Sequence, residues 1–409
     1  LENNSSVTFT NTNVWRSGET YDANLSALNF NLNNKKNTFF LDGNVALSQK
    51  YSSLGNDFGH EWGIWGGKQR GNFTYDIGYF EQSDNYDPND LGFLFNSNKR
   101  VLSNTLAYRI YKPFWKLNSF RASLSNNYER LYAPNRFTSF NYSGSAIATN
   151  KKFQTAGLSV FGTYSENYDF FEPRSVGRFF IRPTQIGGRG WISSNYQRVF
   201  AMDVNFYTTG YQHTDWMDYS FEISPRLRLG KKVFLIYRYG EIYNKNQRGY
   251  AIPFLQPEIP INDIVFGKRD VFTSTNTIDL SYTITNKAGA TFRLRHYWST
   301  VKYDDFYKLE QNGRLSPINI NSVNSEGISY YNTSFNAFSI DLVYRWIFSP
   351  ASEISVVWKN NIFTNDSDVN IDYIRNLEQT LATDQLNSIS IRVVYFIDYL
   401  TIRKFIKEM

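Results

Sequence analysis

Three histidines, His60, His213 and His296, are the only imidazoles in this chain of 409 residues. Imidazole is the side chain whose ordinary pKa suits proton transfer near neutrality, so general acid–base chemistry would centre on one of them. His213-Thr214-Asp215 sets an imidazole beside a hydroxyl and a carboxylate, the grouping a hydrolase uses to activate a nucleophile. The same tripeptide suits an exposed polar loop, which is where the surrounding pattern puts it. His296 falls on the apolar side of an alternating stretch near Trp298, as an interfacial histidine would. No HExxH, GxSxG or P-loop spacing occurs, and the chain is read as a non-enzyme without a cofactor.

Two loops carry other chemistry. Segment 83–100 reads SDNYDPNDLGFLFNSNKR, and its Asp84, Asp87 and Asp90 are ligand types for calcium. Their spacing misses the EF-hand pattern and lacks the closing Glu, so a turn around Pro88-Asn89-Asp90 is the plainer account and no metal is expected. Segment 166–184 interleaves Tyr168, Phe170, Phe171, Phe179 and Phe180 with Arg174, Arg178 and Arg182. Rings and guanidinium groups could stack on a sugar or grip a protein partner. Tyr168, Phe170, Phe171, Arg174 and Arg178 are the binding candidates there. A loop folded onto its own wall would look the same. Segment 371–385 has helical spacing at Ile371, Ile374, Leu377 and Leu381.

The elements that position these loops are strands. In 387–400, Ile389, Ile391, Val393, Tyr395, Ile397 and Tyr399 alternate with Ser390, Arg392 and Asp398, the period of a two-faced strand. Similar signals recur along the chain and predict about eighteen strands. Short connections such as Asn34-Lys35-Lys36, Gln69-Arg70-Gly71 and Gly230-Lys231 alternate with mostly long ones at 83–100, 166–184, 244–270, 303–329 and 365–386. Turns on one side and loops on the other are the pattern of an outer-membrane barrel. The expected fold is all-β: a closed antiparallel transmembrane barrel, with short periplasmic turns, long extracellular loops and both termini in the periplasm. No composition break divides residues 1–409, which read as one such domain. No run of 18 or more apolar residues offers a helical span. A mean hydropathy of -0.47 is compatible with strands that dilute their own signal. Aromatics at 18% suit interfacial girdles. Absent cysteine excludes disulfides and thiolate metal sites.

Charge on the lipid side of a barrel is costly, so the charged face of each strand should point inward. That places Arg109, Arg121, Glu129, Asp203, Glu222, Arg226, Arg228, Asp279, Arg293, Arg295, Glu353, Lys359 and Arg392 along a lumen. Arginine ladders opposite carboxylates could line a water-filled channel, or could pair with one another and with inserted loops. The long loops at 244–270 and 303–329 are available to fold inward. The net charge of +6 is scattered rather than clustered, which argues against nucleic acid.

The segments TYDANLSALNFNLNNKKNTFFLDGNVALSQK, SPASEISVVWK and NSISIRVVYFIDYL resemble the C-terminal barrel of a Bacteroidota-type outer-membrane family of unknown function. In that family a sugar-binding-like (DOMON or carbohydrate-binding) β-sandwich precedes the barrel. The resemblance implies an outer-membrane location, a periplasmic or sugar-binding-like domain before residue 1, and a glycan connection. It brings no catalytic residues. The expected partners are outer-membrane lipid and lipopolysaccharide, with an envelope protein complex or a glycan beyond them. The expected role is an anchoring or scaffolding component of an envelope complex; a porin-like channel for small anionic or saccharide solutes is the alternative.

Overall fold

The computed structural model describes residues 3–255, 263–399 and 403. Its chain divides into two compact units: residues 1–190, 209–214 and 310–314 form the first, and residues 191–208, 215–309 and 315–409 the second. Leu400, the last residue of the expected closing strand, and 256–262, within the expected loop 244–270, lie outside the described residues.

The first unit is an antiparallel meander. Its strands are β1 (Ser6–Val14), β2 (Asp22–Asn33), β3 (Phe39–Ser52), β4 (Gly55–Lys68), β5 (Phe73–Gln82), β6 (Lys99–Ile110), β7 (Leu117–Arg130), β8 (Phe137–Asn150) and β9 (Thr155–Thr163). Each pairs with the next in antiparallel register. A small hairpin of β10 (Asn167–Asp169) and β11 (Phe180–Arg182) follows, and β12 (Gln185–Ser193) begins in this unit.

The register gives this sheet two unlike faces, because directly opposed residues share a face. Leu28, Val45 and Trp62 line up on one face, followed by Ile64, Tyr79 and Leu102. Leu106, Leu124 and Val160 continue it toward β9. These side chains are largely exposed. The opposite face carries Asn44 opposite Gly63, Ser103 opposite Asn127, and Ser125 opposite Ser143. Polar neighbours there bond across strands: Asn44 Nδ2 donates to Glu61 at 2.7 Å and Ser123 meets Ser145 at 2.8 Å. A slip of one residue in any strand would exchange its faces, so the pattern specifies the register.

The second unit repeats this arrangement with longer strands. It holds β13 (Phe200–Tyr211, in part), β14 (Met217–Leu229), β15 (Val233–Tyr250), β16 (Val265–Thr285), β17 (Ala288–Leu309), β18 (Leu315–Ile318), β19 (Thr333–Ser349), β20 (Ser352–Asp366), helix α1 (Tyr373–Leu381) and β21 (Leu386–Val394). Strands β14 to β17, then β19, β20 and β21, pair antiparallel in that order, and β18 returns along the end of β17. Leu280, Phe292 and Leu342 meet on the apolar face, with Trp358 and Ile389 beyond them. Setting aside β10, β11 and β18, eighteen strands remain among the described residues.

Two expected loops are strand for much of their length. Segments 244–250 and 265–270 extend β15 and β16 to 18 and 21 residues, and 303–309 extends β17 to 22. A register shift between Asn244 and Gln247 absorbs the polar run that reads as a turn, and the ladder continues to Tyr250 opposite Phe266. This extension has its own core: Ala251, Val265, Phe306, Tyr330 and Tyr331 are buried together, with Tyr303, Ile318 and Ile320 packed against them. Tyr303 and Phe306 stack at 5.7 Å, and Phe306 and Tyr331 approach to 4.7 Å.

Segment 83–98, by contrast, is a connection laid over the polar face of the first unit. A Cβ on Gly59 would come within 2.3 Å of the Asn85 and Tyr86 backbone. Glycine is what permits this approach. Gly59→Ala is expected to displace the loop at a cost of about 1–3 kcal/mol, read as faster hydrogen exchange over 83–98.

Candidate functional site

Alternation places the expected charged set on the polar face. Arg109, Arg121 and Glu129 share it in the first unit. In the second unit Glu222, Arg226 and Arg228 of β14, Asp279, Arg293 and Arg295 of β16 and β17, and Glu353, Lys359 and Arg392 near the C-terminus share it. Asp203 joins them through Arg226 Nη2 at 2.6 Å, and Tyr196 Oη donates to the same carboxylate.

The geometry adds partners that a one-strand reading misses. Asp279 takes Arg238 Nη1 at 2.5 Å as well as Arg293, so one carboxylate bridges two guanidiniums on three adjacent strands. Asp341 lies 3.7 Å from Arg295 and opposite both Arg293 and Lys359 in register. Arg345 pairs with Glu353. These pairs are partly exposed, so each adds little to stability; their effect is to hold a positively biased field along the face. Arg238, Asp341 and Arg345 were findable by the same alternation.

At the long-connection end of the first unit, this face opens into a cleft of about 370 Å³. Lys99, Glu129, Tyr168, Asp169, Phe171 and Arg182 are among its lining residues. Three expected site residues therefore meet there: Glu129 from β7, and Tyr168 and Phe171 from segment 166–184. Arg182 Nε sits 3.0 Å from Asp169 Oδ2. Phe171 is 43% exposed, a ring face open to a ligand. Carboxylates, cations, amides and a partly exposed ring line the cleft.

The rest of segment 166–184 is largely self-satisfied. Tyr168 and Phe170 each pack on Phe179, at 5.5 and 5.4 Å. Arg178 Nη2 donates to the Glu310 carbonyl at 2.9 Å. Arg174 has left-handed backbone at φ 54°. Residues 310–314 close over the hairpin: Ile181 N donates to Gly313 O at 2.9 Å, and Arg314 holds Glu166 with two bonds of 2.7 and 2.8 Å. Phe170 and Arg178 are thus engaged within the fold. Tyr168 borders the cleft while its ring packs on Phe179.

Two of the three aspartates of segment 83–98, Asp87 and Asp90, are answered by cations of the chain. Lys50 Nζ meets Asp87 Oδ2 at 2.5 Å, and Arg16 pairs with Asp90, which Tyr21 Oη also reaches at 3.1 Å. Burial alone would raise the Asp87 carboxyl, but Lys50 and the Asn89 amide hold it below the usual carboxylate range. Burial pushes the Tyr86 phenol up to about 12.

The histidines are dispersed. His213 is exposed with left-handed backbone. Asp215 is committed elsewhere, with Arg248 Nη2 at 2.8 Å and Lys268 Nζ at 3.4 Å. Burial works against the Asp215 carboxylate, yet Arg248 and then Lys268 hold it below the ordinary range. Its contribution is therefore complete above the unfolded carboxylate pKa and disappears as pH falls through the depressed folded value. Hydrogen exchange at the base of the β15–β16 extension should accelerate, relative to its intrinsic rate, as pH falls from the first value to the second.

His60 lies on the apolar face beside Glu81, at 3.4 Å, and edge-on to Tyr132. Arg100 and Tyr79 each donate to Glu81 at 2.7 Å, and Trp62 Nε1 donates at 3.2 Å. This cluster marks the long-connection end of that face, and the sequence reading missed it. His296 is on the apolar face near Trp298, as its parity requires, but it is buried at 2% exposure rather than standing free at an interface. Helix α1 covers it. His296 Nδ1 faces Tyr373 Oη at 2.9 Å and Nε2 faces Asn336 Oδ1 at 3.3 Å. Asn276 Nδ2 donates to the same Tyr373 hydroxyl at 2.9 Å. Asn336 and Asn376 exchange two amide bonds at 3.0 and 2.7 Å. A neutral ring protonated at Nε2 satisfies every partner: it donates to Asn336 and accepts from Tyr373. Asn376→Leu would strand the buried Asn336 amide and cost about 1–3 kcal/mol, measurable by denaturant titration.

Together these features define an all-β protein of antiparallel, two-faced sheet, apolar on one side and ion-paired on the other. The chain belongs to the family described as "Domain of unknown function (DUF5916)", whose model matches residues 1–406. No curated protein matches it. Among solved structures it is similar to the siderophore receptor PirA from Acinetobacter baumannii, at 8% identity and a TM-score of 0.47, over 97% of this chain and 74% of that one.

Proposed function

We propose that this chain is a non-enzymatic outer-membrane β-barrel that anchors or scaffolds an envelope complex. The observation that supports it is the segregation of faces. In the first unit the apolar face is exposed from strand to strand, and in the second Leu342 and Ile389 are exposed beside half-buried Leu280, Phe292 and Trp358; water does not tolerate so continuous an apolar surface on a monomer. Hydrocarbon does. Most strands of the two units meet or exceed the roughly 9–11 residues that a tilted crossing requires. An open sheet edge has no partner in lipid, so closure of the sheet is part of the proposal. The short turns then face the periplasm and the long connections face outward.

The cored extension of β15 to β18 offers a rigid surface for a partner. The cleft with Phe171, Glu129 and Asp169 has the polar and aromatic lining that would suit a glycan. The second reading, a pore, draws on the arginine excess of the polar face, which would favour anions. Segments 83–98 and 166–184 lie over that face in the first unit and favour a narrowed bore.

Planar-bilayer recording of the full chain separates the two. The anchoring reading predicts no steady conductance from folded protein, together with co-purifying partners that are lost when 315–329 is shortened. A steady, salt-proportional, anion-preferring conductance would replace it with the pore. In that case Arg293→Glu should alter the ion preference.

A further inference from the structure

We propose that helix α1 is an interfacial membrane helix, seated on the wall by polar side chains and presenting Ile374, Leu377 and Leu381 to lipid acyl chains. This rests on the reading of the apolar face as lipid-facing.

Three observations carry it. First, the helix packs with its polar stripe. Asn376 and Thr380 are buried and Tyr373 is half-buried, whereas Ile374 and Leu381 are 62% and 42% exposed. At 3.6 residues per turn, Ile374, Leu377 and Leu381 form one stripe, about a quarter turn from the seated one. Arg375, Glu378 and Gln379 occupy the remaining arc. A surface helix in water buries its apolar stripe; this one keeps Leu377 half-buried at its edge and turns Ile374 and Leu381 away from the protein.

Second, the helix lies across the strands rather than along them. Its Tyr373 end bonds to Asn276 of β16 and His296 of β17, and Asn376 bonds to Asn336 of β19. Gln385, just beyond it, takes Asn360 of β20 at 2.9 Å. Strands that cross a bilayer put such a helix near the membrane plane, the attitude of interfacial helices.

Third, its seat is the border of the apolar face. The Asn276–His296 rung is followed toward the short-turn end by Ile278 opposite Leu294, then Leu280 opposite Phe292. Ile340 and Leu342 continue those rungs on β19. The polar seat fits the same account, because Tyr373 and Asn376 complete bonds of strand groups that would otherwise face the headgroup boundary unpaired.

The chain contains no cysteine, so a single introduced thiol carries an environment-sensitive fluorophore uniquely. The full chain would be labelled at Ile374→Cys, Leu381→Cys, Gln379→Cys or Leu342→Cys. It would then be folded into phosphatidylethanolamine–phosphatidylglycerol vesicles, some carrying a spin label high on the acyl chain. The account predicts blue-shifted emission and lipid-borne quenching at positions 374 and 381, with aqueous iodide dominating at 379. Equal iodide quenching at 374, 381 and 379, with Leu342→Cys still quenched by lipid, would overturn the helix assignment alone. Loss of lipid quenching at Leu342→Cys as well would overturn the lipid-facing reading and the helix with it.

Discussion

Leu106→Arg is expected to destabilise the protein in a bilayer by about 2–4 kcal/mol, whereas Ser125→Arg should change stability by about 0.5 kcal/mol or less. The two sites lie on neighbouring strands and opposite faces. Leu106 stands opposite Leu124 and Tyr75 on the apolar face, and Ser125 stands opposite Thr105 and Ser143 on the polar one. A guanidinium at the first must enter hydrocarbon or distort the bilayer to avoid it. At the second it joins a hydrogen-bonded surface. Denaturant titration of the two variants in vesicles measures the difference directly. Equal costs would mean that lipid does not discriminate between the faces, and the reversed order would mean that the polar face is the outer one.

Phe306→Ala is expected to cost about 3–5 kcal/mol, concentrated in the β15–β18 extension. The ring is buried between Tyr303 and Tyr331, so truncation leaves a cavity that the flanking aromatics cannot fill. Strand extensions of this kind hold together by such local packing, and local opening draws on local stability. Hydrogen exchange or limited proteolysis should show 303–332 opening while the ladder of β16 and β17 from Val271 to Thr285 stays protected. Loss of protection along the whole of β16 would show that the extension and the sheet melt as one.

What was legible in the sequence was whatever a period of two can encode. Alternation puts Glu222, Arg226, Arg228, Asp279, Arg293 and Arg295 on one face, and the register reproduces it, down to Asp279 opposite Arg293. Short turns were legible because Gly, Asn and Lys punctuate them. Features that depend on distant partners were not. The run Asn244-Lys245-Asn246-Gln247-Arg248 reads as a turn until Arg269 and Asp270 are seen pairing with it. Glu81 and Arg100 each sit on the apolar parity of their strands, and only the register shows that they stand opposite one another. Helical spacing at Ile374, Leu377 and Leu381 announced a helix, but not that its polar stripe would be the seated one. Segment 83–98 lies on the polar face because Gly59 makes room and Ser48, Lys50 and Arg16 hold it. None of those residues is near it in sequence.

The claim on which the rest depends is that one face of the sheet meets lipid and the other does not. Site-directed spin labelling tests it most directly, because each introduced cysteine is the sole thiol. Leu106→Cys and Leu280→Cys report the apolar face, and Thr105→Cys and Ser281→Cys the polar one. In vesicles, power saturation should show oxygen relaxing the first pair more than a water-soluble nickel chelate does, with that preference absent or reversed for the second pair. Nickel access equal to oxygen access at Leu106→Cys and Leu280→Cys would place the apolar face in water and contradict the account.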